Sequence, residues 1–424
     1  MTITNLDKIK INSYESTVIG PAYSSLVMPT CRLAPALAFF KQWNSIKPFP
    51  VSHIHIVYDG PSSDIALDMF NKFKSFHPEL HIHSWDENFV HEELPQTLFD
   101  KLPEPIDYYE SKNVKCFSKR DSSIRSYGFL MACAYINAIC QITISQNDHV
   151  IFTLDDDCFP LFEEESNDIT PFFYKHHHNL FKFGSWASTI PGHRVRGVPY
   201  YTLGSKSLIS NDDMLLSVGL WKGIPDFDAV QRLSIGVNAE STVLPLPEAP
   251  ILANPNVLYP ICGMNMAFKQ SMLPVALFAP MGSASPYKRF DDIWFGLFAQ
   301  FVFKVANKSW CYGPPFINHM RLSKSMDCLK AEAPGIKLNE VLWMYIADAV
   351  LNFEKTNNKY QGNSVIEAAD YIIKAMSSFK DTANLIFESY DKECTDYISL
   401  WCESLSNWLL LIKKFVLNDA SITI

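Results

Sequence analysis

Hydrophobic and polar positions in the first 160 residues switch repeatedly between two periods. Ser24–Met28 (SSLVM) is a short apolar run stopped by Pro29 and Thr30, and His53–Tyr58 (HIHIVY) alternates in period two up to Asp59-Gly60. Both predict strands, as do Leu80–Ser84 and the continuous apolar run Val150–Leu154. Leu33–Trp43, Asp64–Phe76 and Ser122–Gln141 carry helical composition, the last with small and apolar residues recurring at helical spacing. Strands alternating with helices predict an α/β sheet with parallel strands. Ligands of such sheets gather at the carboxyl ends of the strands, where Asp59 and the run Asp155-Asp156-Asp157 fall. From 160 to about 330 the sequence is irregular and rich in proline and tryptophan. Beyond that the spacing becomes amphipathic and helical, as in YISLWCESLSNWLLLIKKF. The expected organisation is a main domain over 20–330 and a helical region over 331–424.

Composition narrows the function classes. A chain of 424 residues with 48% hydrophobic positions buries enough surface to fold. Only 16 residues are glycine, and neither G-x-G-x-x-G nor G-x-x-x-x-G-K-[ST] occurs, which argues against a dinucleotide (NAD) site and a P-loop. The net charge of −9 and the lack of a long Lys/Arg run argue against a nucleic-acid partner. Residues 1–16 hold no apolar signal-like core, and the longest apolar stretches, 130–140 and 407–416, fall short of the ~20 residues of a membrane span. Ten cysteines without a C-x-x-C pair are expected as buried thiols in a reducing compartment, so the expected location is cytoplasmic.

Four features carry chemistry. Three consecutive aspartates after a buried strand either form a solvated loop or helix cap, or hold a divalent cation such as Mn²⁺ or Mg²⁺. In the second case Asp155 and Asp157 share one side of the turn while Asp156 points elsewhere. Asp291 and Asp292, inside RFDDIWFG, suit a helix N-terminus or general-base work beside a sugar. With Asp121 as a cap, Arg125 falls in the first helical turn, where the dipole disfavours a cation; an aspartate partner or an anionic ligand should compensate. His319 is a candidate metal ligand, though a lone histidine is more often structural. His176-His177-His178 is expected on a solvated face.

At this point the chain resembles the reversibly glycosylated polypeptides, which include the UDP-arabinopyranose mutases. The resemblance rests on VMPTCR (27–32), HIVYDG (55–60), KRDSSIRSYGF (119–129), FTLDDDCF (152–159), RGVPY (196–200), GLWKGIPDFDA (219–229), PICGMNMAF (260–268) and RFDDIWFG (289–296). It implies a GT-A-like nucleotide-diphospho-sugar fold, UDP-sugar binding, Mn²⁺ or Mg²⁺, no flavin, and a homo-oligomer. It also implies interconversion of the pyranose and furanose forms of UDP-arabinose and self-glycosylation of an arginine, whose matching position is Arg125. In the family pattern that arginine lies between two cysteines; here its neighbours are Ile124 and Ser126. On this resemblance Asp155, Asp157 and His319 are expected at the metal and Arg125, Asp291 and Asp292 in catalysis. Asp59, Arg120, Arg196, Trp221 and Asn265 are expected around the substrate. An ordinary glycosyltransferase acting on an external acceptor and a non-catalytic partner subunit remain the alternatives.

Overall fold

The structure is a computed structural model. It describes residues 23–32, 51–60, 80–84, 123–140, 149–160, 213–224, 226–235, 250–281, 285–320, 323–386 and 392–417, with isolated positions at 68, 71, 72, 75, 176 and 180. The predicted strands are present as β1 (Tyr23–Thr30), β2 (His53–Tyr58), β3 (Leu80–Ser84) and β4 (His149–Leu154), and the long helix as α1 (Ser123–Cys140). The helix expected over 33–43 lies outside the described residues. The one expected over 64–76 is represented by helical positions at 68, 71, 72 and 75.

Nine strands form one mixed sheet in the order β3-β2-β1-β4-β8-β6-β9-β5, with β7 (Ile251–Leu252) paired to β9 (Ser309–His319). The first four are mutually parallel. β8 (Asn265–Lys269) runs antiparallel between β4 and β6 (Met214–Gly223), and β5 (Cys158–Pro160) closes the edge on β9. This is the α/β arrangement, a mixed sheet with helices, that the alternation of strands and helices predicted. All six positions of β4 are buried, as a strand covered on both faces requires. The chain leaves β1 toward β2 and β3 and returns on the other side of β1 as β4, so the strand order reverses there. A cleft outside the carboxyl ends of β1 and β4 follows from that reversal.

Two short elements, α2 (Ala229–Ile235) and a 3-10 turn (Gln270–Val275), and the long α3 (Asp291–Val305) flank the sheet. Three helices follow: α4 (Ser325–Thr356), α5 (Val365–Ile386) and α6 (Lys392–Phe415). The division expected at 330 falls inside α4. The amphipathic faces of these helices find their partner in the main domain, since one continuous apolar core contains Phe298 and Val302 of α3, Leu273 of the 3-10 turn, and Ile372, Trp401 and Trp408 of the tail. Polar tips are answered at the same seam: Trp408 Nε1 donates to Leu273 O at 2.9 Å and the Tyr397 hydroxyl to Pro280 O at 3.0 Å. Among the described residues no helix is long and apolar enough to cross a membrane. Six of the eight described cysteines are buried, and all eight are free thiols.

Candidate active site

A cavity of about 980 Å³ opens at the carboxyl ends of β1, β2 and β4 and is closed by the N-terminal turn of α3 and the segment after β6. Its described lining contains nine carboxylates (Asp59, Asp155, Asp156, Asp157, Asp226, Asp228, Asp291, Asp292 and Glu332) against three guanidiniums (Arg32, Arg125 and Arg289).

The aspartate run makes three different contacts. The turn is fixed by its own backbone, with Cys158 N–H on Asp155 O at 3.1 Å and Met320 N–H on Asp157 O at 3.2 Å. Asp156 turns back to β1, as expected of the middle residue. It accepts the Thr30 hydroxyl at 2.6 Å and a fork from Arg32, whose Nε lies 3.1 Å away. Asp156 and the charges around it hold Arg32 above the ordinary arginine value despite burial, so it is a fixed cation. Asp155 faces Arg125 and pairs with its Nη2. Asp157 lies 3.4 Å from Nη2 of the same Arg32 and beside His319 and Cys158, one ligand-capable atom of each within 4.8 Å of the others. Of the three expected metal ligands, the structure therefore brings Asp157 and His319 together and gives Asp155 a different neighbour.

Arg125 is the third residue of α1 and only 7% exposed. Its Nη1 donates to Thr153 Oγ1 at 3.2 Å and to Gly263 O, its Nη2 to Asp155, and its carbon sits 5.2 Å above the Phe278 ring. The Nε hydrogen has no partner among the described residues. Burial favours the neutral form, but the charge and bond of Asp155, with Asp291 and Asp292 behind it, keep the guanidinium above its ordinary value. Asp155 is the compensation that a cation in the first turn of a helix demanded. The same pairing holds Asp155 below the usual carboxylate range, against the pull of burial, with His319 and Arg32 adding to it.

Asp291 and Asp292 open α3 as expected of helix-favouring acids. The residue before them, Phe290, has left-handed backbone (φ 82°), uncommon for an aromatic. Its ring stacks on Trp294 at 5.8 Å and 10°, and a side chain at Gly335 would collide with it. Packing thus holds the strained turn that starts the helix at the cavity wall. Asp292 accepts Gly263 N–H at 3.1 Å and Ile293 N–H at 2.9 Å. Burial, and then the charge of Asp226, push its carboxyl above the usual range.

Asp59 lines the cavity at the end of β2, its amide bonded to Thr30 O at 2.9 Å. Arg120 and Arg196 lie outside the described residues. Trp221 and Asn265 do not line the cavity: Trp221 sits half-buried on β6, and Asn265 is buried beneath the sheet surface. Asn265 accepts from His176 at 2.9 Å and donates to Leu220 O at 2.9 Å. His176 is accordingly not on a solvated face. It is fully buried between Asn265 and Ser217, and burial lowers its pKa to about 4. Its run of three histidines suggested solvent because periodicity is silent when a polar side chain is matched by buried polar partners.

Arg32, Asp226, Cys262 and Phe278 shape the site and were not singled out from the sequence. The first three lie inside segments that carry the family likeness (VMPTCR, GLWKGIPDFDA and PICGMNMAF), which was the available signal.

A profile described as reversibly glycosylated polypeptide matches residues 104–406. The chain belongs to that family. Reversibly glycosylated polypeptides similar to it include a probable UDP-arabinopyranose mutase 4 of Arabidopsis thaliana, 27% identical over 407 residues and covering 92% of each chain. UDP-arabinopyranose mutase 1 of Arabidopsis thaliana is 26% identical over 78% of this chain and 80% of its own. UDP-arabinopyranose mutase 1 of Oryza sativa is 26% identical over 80% and 81%.

Proposed function

We propose that this reversibly glycosylated polypeptide is a UDP-sugar enzyme that interconverts the pyranose and furanose rings of UDP-arabinose or a close analogue, with a divalent cation. The observation that carries the reading is Arg125, a buried cation held against Asp155 in a large cavity at the reversal of strand order. The names of the relatives that match most of the chain point the same way.

The residues fit a hard cation. Nine carboxylates against three guanidiniums leave a wall of surplus negative charge, which would repel a diphosphate unless a cation intervened. His319 Nδ1 lies 2.8 Å from Ile224 O, a pure acceptor, so Nδ1 carries a hydrogen and Nε2 is the ring nitrogen left to face a cation. Asp157 supplies the neighbouring oxygen. Burial keeps Cys158 well above the ordinary thiol value, so it stands beside the pair as a thiol. Asp157 and His319 would hold Mn²⁺ or Mg²⁺, which when bound neutralises the diphosphate and makes UDP a better leaving group.

The chain's own residues do the rest. Asp59 and the end of β2 receive the nucleoside. The Nη1 bonds and Phe278 fix the plane of Arg125, and Nη2, held by Asp155 at the cavity, is the nitrogen for the substrate. In self-glycosylation Nη2 bonds to the anomeric carbon as that carbon's bond to the β-phosphate oxygen breaks. UDP departs with the electron pair, and one Nη2 proton passes to Asp155, already its hydrogen-bond partner. A guanidinium is a poor nucleophile while fully protonated, so a carboxylate in contact with it is a requirement. Asp155 occupies that place, whereas Asp291 and Asp292 act on Arg125 through charge.

The test is to incubate the full chain with UDP-arabinopyranose and Mn²⁺, without acceptor. The sugar nucleotides are then separated by chromatography and the protein weighed by intact mass. Expected are UDP-arabinofuranose and a one-pentose adduct that Arg125→Ala abolishes. UDP release that depends wholly on an added acceptor would establish a transferase and overturn the mutase reading.

A further inference from the structure

Ring exchange has a proton balance that Arg125 and Asp155 do not meet. Going from pyranose to furanose, the C4 oxygen bonds to C1 and its hydroxyl proton leaves, while the C1–O5 bond breaks and O5 takes up a proton. One group must accept a proton and another must donate one, on opposite oxygens of the same sugar. The reverse direction swaps the roles. A pair of carboxyl groups that together hold one proton is the smallest device that serves both directions.

The cavity wall carries two carboxyl groups placed for that work, Asp226 and Asp292. Asp226 lies in the segment between β6 and α2, and Asp292 in the first turn of α3. Cys262, from the turn before β8, stands between them. Its thiol donates to Asp226 Oδ2 at 3.2 Å and stands near enough to Asp292 to lower that carboxyl in part. All three residues line the cavity, together with Arg125. Cys262 is pushed well above the ordinary thiol value, by burial first and then by the charges of Asp226 and Asp292. It is therefore a donor and not a thiolate. The groups that face Asp292 from the surrounding elements are Asp226, Cys262, the Gly263 amide, Arg289 and Arg125. Burial and the like charge of Asp226 outweigh the cations and the amide, so the Asp292 carboxyl is held above the usual carboxylate range, the direction an acid–base group needs.

We propose that Asp226 and Asp292, bridged by the Cys262 thiol, are the acid–base pair that shuttles one proton between the C4 hydroxyl oxygen and the ring oxygen during ring exchange. Asp226 is the new member. This rests on the mutase reading above but not on how C1 is carried, because the net proton movement is the same for any carrier.

The deciding experiment compares wild type, Asp226→Asn, Asp226→Glu, Cys262→Ser and Cys262→Ala as full chains with Mn²⁺ and UDP-arabinopyranose. Three quantities are read: the ring-exchange rate over pH 5–9, the arginine adduct by mass, and the unfolding temperature. Asp226→Asn is expected to lower ring exchange by about 10²-fold or more while the adduct still forms, since adduct formation uses Arg125 and Asp155. The high-pH limb of its residual rate moves to lower pH, because Asp292 loses the like charge that favours its proton. Asp226→Glu recovers part of the rate. Cys262→Ser, which keeps a donor, loses less than Cys262→Ala. Should Asp226→Asn fail to fold, the two cysteine variants and Asp226→Glu carry the same comparison. Ring exchange within threefold of wild type in Asp226→Asn, or a rate loss with the pH limb unmoved, overturns the pair. Wild type that forms no furanose overturns the mutase reading and the pair with it.

Discussion

Replacing Arg125 by alanine tests the centre of the site twice, once through stability and once through chemistry. The side chain is 7% exposed and satisfies three acceptors: Asp155, Thr153 Oγ1 and Gly263 O. Removing one partner of a buried ion pair costs about 3–5 kcal/mol, because the other charge is left without its counterion. The Asp155 side chain is 32% exposed, so water relieves part of that, and about 2 kcal/mol is the share to assign to it. The two lost hydrogen bonds add about 1 kcal/mol in sum, since water entering the cavity can replace them in part. The expected loss is therefore about 3 kcal/mol, read as a lower urea midpoint at unchanged slope. The pH dependence has a definite sign. Arg125 depresses the Asp155 carboxyl, so the stability it lends is fully present above the unfolded aspartate value near ~3.9 and is lost as pH falls through the lower folded value. The gap between wild type and Arg125→Ala should stay constant from pH 8 to 5 and shrink in acid. Arg125→Lys, which restores charge but not the bonds to Thr153 and Gly263, should recover part of the gap. A loss under about 0.5 kcal/mol, or a gap that widens in acid, would refute the view that the Arg125–Asp155 pair holds the site together.

Three further outcomes follow from single contacts. His149, bonded to Ser25 and Gln270, and His176 are both buried with pKa values near about 4, so the unfolded chain binds their protons first as pH drops below ~6.5. Each should cost about 2 kcal/mol of stability between pH 7 and 5, visible in urea midpoints, and a flat profile would contradict their neutral burial. Asp157→Ala and His319→Ala should each weaken Mn²⁺ binding at least tenfold by electron paramagnetic resonance titration without UDP, and unchanged binding in both would remove the proposed metal pair. Gly263→Ala would place its Cβ 2.6 Å from Phe278 ring atoms and 3.4 Å from the Asp292 Cβ; a destabilisation of about 1–3 kcal/mol with lower ring-exchange rate is expected, checked by thermal melt and product chromatography.

The parallel half of the sheet was legible because its strands are short apolar or alternating runs ended by Pro29-Thr30, Asp59-Gly60 or the aspartates, and each such stop is also a chain direction. The carboxyl-end position of Asp59 and Asp155–Asp157 followed from that pattern alone. The division at 330 was placed by a change of composition, but composition does not report that α4 starts at Ser325 or that the tail shares a core with α3. The partners inside the site were hidden for a related reason. Arg32 and Asp156 are 124 residues apart, and Arg125 and Gly263 are 138 apart, so no local spacing encodes either contact. Trp221 and Asn265 sit in segments that resemble the family strongly, yet no residue of β6 or β8 is in the described cavity lining, and the Asn265 side chain is taken up by His176 and Leu220 O.

The charge pattern of the cavity explains why one run of three aspartates needs three different environments. Adjacent carboxylates in a buried turn cannot all ionise unless each finds its own positive neighbour. Asp156 has Arg32 from just past the end of β1, and Asp155 has Arg125 from α1, two fixed cations delivered beside the same switch point. Asp157 shares Arg32, whose Nη2 is 3.4 Å away, and stands beside His319 and Cys158, so one guanidinium serves two carboxylates there and an exchangeable cation would complete the balance. Across the same cavity Asp292 faces the like charge of Asp226 beside the Cys262 thiol, which with burial raises its carboxyl above the usual range, and a proton would relieve that charge. Guanidinium, metal ion and proton are thus three ways of neutralising carboxylates. Only the last two can come and go during a reaction, which is where the chemistry of leaving group and ring oxygen requires mobile charge.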